Sequence, residues 1–115
     1  MIGPGRNIAI KVPLHRWDEM VAFYRDRIGL RVARQMRDSI GFDFNGFTLW
    51  LDRVPHQAQA DLWLELFSDD PDAALARLGS PLRDELEPLE GVTGHWTSDP
   101  AGTVLLVRQP REGET

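Results

Sequence analysis

From Asn7 to Val12 the chain alternates, with Ile8, Ile10 and Val12 to one side and Asn7, Ala9 and Lys11 to the other. That is the period-2 pattern of a half-buried strand, and Pro13 ends it. Trp17, Met20, Val21, Tyr24 and Ile28 then recur at helical spacing and predict one inward-facing stripe. Asp18 and Glu19 suit the positive end of the helix dipole, and Gly29 supplies the stop. Three short strands are predicted next: Leu30–Gln35, Ser39–Phe44 and Phe47–Arg53. Asn45-Gly46 between the last two accepts the positive φ angles of a tight hairpin turn.

The second half repeats this order. Asp61–Phe67 alternates, with Leu62, Leu64 and Leu66 opposite Asp61, Trp63, Glu65 and Phe67. Asp70-Pro71 reads as an N-cap followed by proline at the first helical position. Ala74, Leu75 and Leu78 are expected inward, and Gly79 stops the helix. Strands are expected near Leu82–Leu86, Gly94–Ser98 and Thr103–Arg108. Asn7 and Trp63, Gly46 and Gly102, Trp50 and Leu106 are each 56 residues apart. The pattern is therefore two βαβββ modules in one domain, 1–115: module one 6–54, linker 55–60, module two 61–110. Such a module buries its helix-side face alone and leaves the other sheet face needing a cover. Two modules side by side form a partial barrel with a concave cavity, an α+β fold; a second chain would cover that face equally well.

Composition narrows the function more than the fold. At 115 residues with 42% hydrophobic and 27% charged positions, the chain is ordinary for one globular domain. No apolar run approaches the ~18–20 residues of a membrane helix, and the opening MIGPGRNIAI lacks a secretory layout, so a cytoplasmic location and no membrane partner are expected. The absence of cysteine excludes disulfides, thiolate metal sites and cysteine nucleophiles. A net charge of −5 argues against nucleic acid as a partner. Lys11 is the only lysine among the 13 basic residues.

The stretch IKVPLHRWDEMVAFYRDRIGL, above all FYRDRIGL, resembles the first module of the vicinal oxygen chelate superfamily, which includes glyoxalases, extradiol dioxygenases and bleomycin-resistance proteins. FDFNGFTLWLDR and SDPAGTVLLV are similar to its two closing hairpins, the second with an Asp-Pro-x-Gly turn. The resemblance runs from about residue 6 to 110 and implies the fold, not one chemistry, since many activities share this scaffold. Metal enzymes of the superfamily carry four ligands on the concave face, typically His or Gln, Glu, His and Glu. The resemblance places these at Asn7, Trp50, Trp63 and Leu106. The chain is about two residues longer than usual between Val12 and Phe23, so Ala9 takes the place of Asn7 if the extra pair lies within the strand. Indole offers only a donor, and leucine and alanine offer nothing, so three of the four positions lack lone pairs for a cation. No metal and no other cofactor is expected.

The alternation aims Asn7, Lys11, Trp50, Trp63, Glu65, Phe67, Leu106 and Arg108 at the cavity, and the repeat adds His95 with the same parity while sending Trp96 under a helix. Trp50 and Trp63 are expected either to sandwich a planar or cationic ligand or to fill the space as core. Glu65, Lys11, Arg108 and His95 would orient the ligand's polar groups, with a structural ion pair from Glu65 to Arg108 or Lys11 as the other reading. The function expected is a metal-independent small-molecule binding protein of the bleomycin-resistance kind, sequestering an aromatic or cationic compound as a homodimer. The alternative is a small lyase, isomerase or dioxygenase-like enzyme. Its catalytic candidates are Glu65 and His95 as general base, or a metal held by His95, Glu65 and Asp52. A third reading is a dimerisation module without a ligand.

Overall fold

A computed structural model describes residues 1–114. It contains seven strands and two helices, an α+β fold in the order β1 (Ile2–Pro13), α1 (Trp17–Ala22), β2 (Val32–Gln35), β3 (Ser39–Phe44), β4 (Phe47–Val54), β5 (Asp61–Ser68), α2 (Pro71–Leu78), β6 (Gly94–Ser98) and β7 (Val104–Arg108). The chain divides into two compact units, one of Asn7–Leu62 and one of Met1–Arg6 with the described residues from Trp63 onward. β1 is longer than the alternation alone suggests and lends its second half to the first of these units and its first half to the other.

In the Asn7–Leu62 unit the strand order is β2-β3-β4-β1. β4 runs antiparallel to β3 and parallel to β1, with Asn7 opposite Thr48, Ala9 opposite Trp50 and Lys11 opposite Asp52. The helix-side face is apolar: Val12, Ile40, Phe42 and Leu51 are fully buried, and Ile10, Trp17, Met20, Val21, Tyr24 and Leu30 pack on them. The stripe read from the sequence is thus the buried one, except at Ile28, which is 52% exposed. After Ala22 the helix widens into a π turn over Phe23–Arg27, with Ile28 N–H bonded to Phe23 O and Leu30 N–H to Tyr24 O. The wider turn rotates the stripe past Ile28 and brings Leu30 inward instead.

In the other unit the order is β1-β5-β7-β6, with β5 parallel and β6 antiparallel to β7. Asp70 caps α2 by accepting from Ala73 N–H at 3.1 Å, and Gly79 closes it at φ 64°. The strand expected at Leu82–Leu86 is not formed. A side chain replaces a ladder bond to β6: the Asp84 carboxylate accepts Trp96 N–H at 2.9 Å, while Leu86 N–H turns back to Arg83 O. Only Arg83 N–H to Trp96 O resembles a ladder bond, and the flanking Pro81 and Pro88 have no N–H to extend it.

Candidate functional site

The face of each unit opposite its helix carries the polar and aromatic side chains picked out by alternation. In the Asn7–Leu62 unit, Trp50 Nε1 donates to Asn7 Oδ1 at 2.8 Å. Gly41, opposite Trp50 in β3, lets the indole lie flat; a Cβ there would sit 3.1 Å from the ring and 2.9 Å from Thr48 Cγ2. Further along the same face Lys11 Nζ meets Asp52 Oδ2 at 2.8 Å, and Ser39 Oγ donates to Asp52 Oδ1 at 2.7 Å. The one lysine is buried and paired with Asp52.

In the other unit Trp63, Glu65 and Phe67 on β5 stand in register with Val104, Leu106 and Arg108 on β7. Glu65 and Arg108 form a buried pair, 2.9 Å apart, with side chains 7% and 5% exposed. The guanidinium lies 4.9 Å over the Phe67 ring, and its other edge meets Glu114 at 2.8 and 2.6 Å. Glu65 Oε1 also accepts Arg6 N–H at 2.9 Å. Gly5 makes room for this carboxylate, because a Cβ there would fall 2.5 Å from Glu65 Cγ and Oε1. Glu114's hydrogen bonds from Arg108 hold its carboxyl at about 2, well below the usual 4.5, and the same contact raises Arg108 further.

His95 and Trp96 occupy the reverse of their expected sides. His95 pairs with Val107 and Trp96 with Leu106, so Trp96 shares the face of Trp63 and meets it edge-on at 4.9 Å between ring centres. The cause is loop length. Six residues separate the paired Phe42 and Leu49 in β3–β4, whereas five separate Ser98 and Val104 in β6–β7. A one-residue slip turns every side chain of a strand to the other face. His95 therefore points toward α2, where Nδ1 meets Asp84 at 2.9 Å and Nε2 meets Asp72 at 2.6 Å. These hydrogen bonds, Asp84's first, raise its pKa. The bond from His95 and that from Trp96 N–H leave Asp84 below its ordinary value although burial opposes them.

The structure thus joins Glu65, Phe67 and Arg108 in one network, with Trp63 and Leu106 on the same face, and places Asn7, Lys11 and Trp50 together in the other unit. His95 is excluded from the Glu65 face, so the metal set His95, Glu65 and Asp52 is not assembled. Arg6 and Glu114 were not legible: Arg6 N–H reaches Glu65 from 59 positions away, and Glu114 reaches Arg108 only because the chain turns back after β7. The sequence also gave no sign of a groove of about 490 Å³ lined by Val12, Pro13, His15, Met20, Phe23 and Ala58.

The residues at the four positions that the resemblance assigns to metal ligands do not fit a metal. Asn7's amide oxygen already takes the Trp50 N–H. Ala9, opposite Trp50, has no donor atom, and Trp63 and Leu106 have no lone pair to give. Among the described residues no three His, Cys, Asp or Glu side chains come together at metal-binding distance. No helix among them is long and apolar enough to cross a membrane.

No protein-family model matches the chain, and no curated protein matches it in sequence. Solved structures do match in fold. A glyoxalase/bleomycin resistance protein/dioxygenase superfamily member from Vibrio splendidus 12B01 superposes with TM-score 0.59 at 13% identity, over 90% of this chain and 97% of its own. Homoprotocatechuate 2,3-dioxygenase from Arthrobacter globiformis gives TM-score 0.61 at 21% identity, over 96% of this chain and 37% of its own. The enzyme from Brevibacterium fuscum, in complex with 3,4-dihydroxyphenylacetate, gives 0.61 at 20%, over 94% and 36%. The chain spans about a third of the length of these dioxygenases. Its fold is that of the vicinal oxygen chelate superfamily, the scaffold of glyoxalases, bleomycin-resistance proteins and extradiol dioxygenases.

Proposed function

We propose that this chain is a small-molecule binding protein that works without a metal, holding an aromatic or cationic compound as a cytoplasmic homodimer. The observation that carries the reading is the hydrogen bond from Trp50 to Asn7. It engages, within the fold, one of the two lone pairs of the one oxygen at the positions that the resemblance assigns to metal ligands. The groove beside α1 supports it, because its volume is in the range of small-molecule sites and Phe23 presents a ring that is 51% exposed. Catalysis is disfavoured by pairing. Both oxygens of Glu65 are engaged, by Arg6 and Arg108, and both nitrogens of His95 are engaged by carboxylates.

Titration with benzyltrimethylammonium and with neutral aromatic compounds, read by tryptophan fluorescence, tests the reading. A saturable change is expected with at least one class. Its loss in Phe23→Ala would assign the groove, and its loss in Trp50→Phe or Trp63→Phe the strand faces. A flat response to every compound overturns the proposal. Light scattering on the same samples tests the dimer.

A further inference from the structure

β7 ends at Arg108, and the chain from Gln109 turns back, closed by Glu114 N–H to Arg111 O at 3.0 Å. This return lays the Glu114 carboxylate on the free edge of the Arg108 guanidinium, one oxygen per nitrogen, at 2.8 and 2.6 Å. Arg111 N–H donates to the same carboxylate, and Arg6 Nε donates to the Glu114 carbonyl oxygen at 2.6 Å. The guanidinium is oriented independently of Glu114, since Glu65 holds Nε and Phe67 lies beneath the plane. What Glu114 meets is a fixed two-pronged donor, the geometry that planar carboxylate recognition requires.

Three features separate this contact from an ordinary structural ion pair. Arg108 is buried on a strand, but its partner comes from an irregular segment, 109–114, that buries no apolar side chain. The Glu114 side chain keeps 24% of its surface open to solvent. A cavity of about 110 Å³ adjoins the fork, lined by Gly91, Thr93, Arg108 and Arg111 among others. Without Glu114 the Nη edge of Arg108 keeps only the Gln109 carbonyl, which takes one Nη1 hydrogen at 3.0 Å, so the remaining Nη hydrogens are left for an incoming carboxylate.

We propose that the Arg108 fork is a binding site for a small organic carboxylate, occupied here by the chain's own Glu114 as a displaceable internal ligand. The size of the cavity limits the ligand at this end to a short chain beyond the carboxylate. A tethered competitor has an effective concentration on the order of millimolar, so the wild-type chain binds free carboxylate weakly and release of segment 109–114 opens the site. This site shares no lining residue with the α1 groove and stands whether or not an aromatic ligand binds there.

The test is titration of sodium acetate into the wild-type chain, Glu114→Gln and Glu114→Ala, following the Arg108 Nε–Hε resonance, with sodium chloride at equal ionic strength as control. Both variants are expected to show a saturable acetate shift with affinity ~10-fold or more above wild type, and a thermal midpoint that rises with acetate but not with chloride. Glu114→Gln keeps the size of the side chain, so it separates loss of charge from loss of packing. No saturable shift in either variant, an affinity equal to wild type, or an equal response to chloride overturns the proposal.

Discussion

Replacing Arg108 with methionine is expected to destabilise the fold by about 3–5 kcal/mol, the usual consequence of removing one partner from a buried ion pair. Methionine keeps much of the arginine's aliphatic volume over Phe67, so little of the loss comes from a cavity. The larger part comes from Glu65, whose side chain is only 7% exposed and would lose its buried charge partner while keeping the hydrogen bond from Arg6 N–H. Glu114 is a quarter exposed and swings into water, contributing about 1 kcal/mol or less. Urea unfolding at neutral pH, followed by tryptophan fluorescence, reads the change as a lower midpoint at constant slope. The double variant Glu65→Leu/Arg108→Met should recover most of the loss, because the buried pair is then removed together and leaves no buried charge from it. The wild-type chain adds a pH signature. Glu114's carboxyl sits at about 2 when folded against 4.5 ordinarily, so its contribution is present above pH 4.5 and is lost as pH falls toward 2. That acid limb should vanish in Arg108→Met. A cost below about 1 kcal/mol for the single variant, or a double variant no more stable than the single, refutes the reasoning.

Two further outcomes follow from local geometry. His95 has a raised pKa, so the stability it lends is fully present below pH 6.5 and is lost as pH rises through its folded value. His95→Gln should therefore cost about 1 kcal/mol in mild acid, discounted because Asp72 is largely exposed, and the difference from wild type should shrink in alkali; a difference that stays constant with pH contradicts this. Gly5→Ala drives a Cβ into Glu65 and should cost about 1–3 kcal/mol in a urea titration. Gly3→Ala, with nothing within 4 Å, should stay within about 0.5. Equal effects would show that Gly5 has no such role.

Much of the fold was legible because the chain obeys its periods where packing is regular. The 56-residue repeat holds between the strand pairs, with Asn7 opposite Thr48 matching Trp63 opposite Val104, and Ala9 opposite Trp50 matching Glu65 opposite Leu106. It fails where backbone geometry changes the count. A π turn moved Ile28 outward, and a loop one residue shorter exchanged His95 and Trp96. Neither event leaves a compositional trace, since any residue can occupy a widened turn or be missing from a loop. At Leu82–Leu86 a strand was expected, but Asp84 satisfied the neighbouring Trp96 N–H with its side chain. The Glu65–Arg108 pair was open to inference from shared parity. Glu114 was not, because a return of the chain after the last strand has no period to read.

Metal independence is the claim on which the proposed function rests, and metal content tests it most directly. The chain would be purified without chelator, assayed by elemental analysis, and then titrated with Mn, Fe, Ni and Zn while tryptophan emission is followed. Substoichiometric metal and unchanged emission are expected, because Trp50, Trp63 and Leu106 have no lone pairs to offer and Asn7 is already bonded to Trp50. One ion per chain, retained through dialysis and lost in Asn7→Ala or Glu65→Gln, would contradict it.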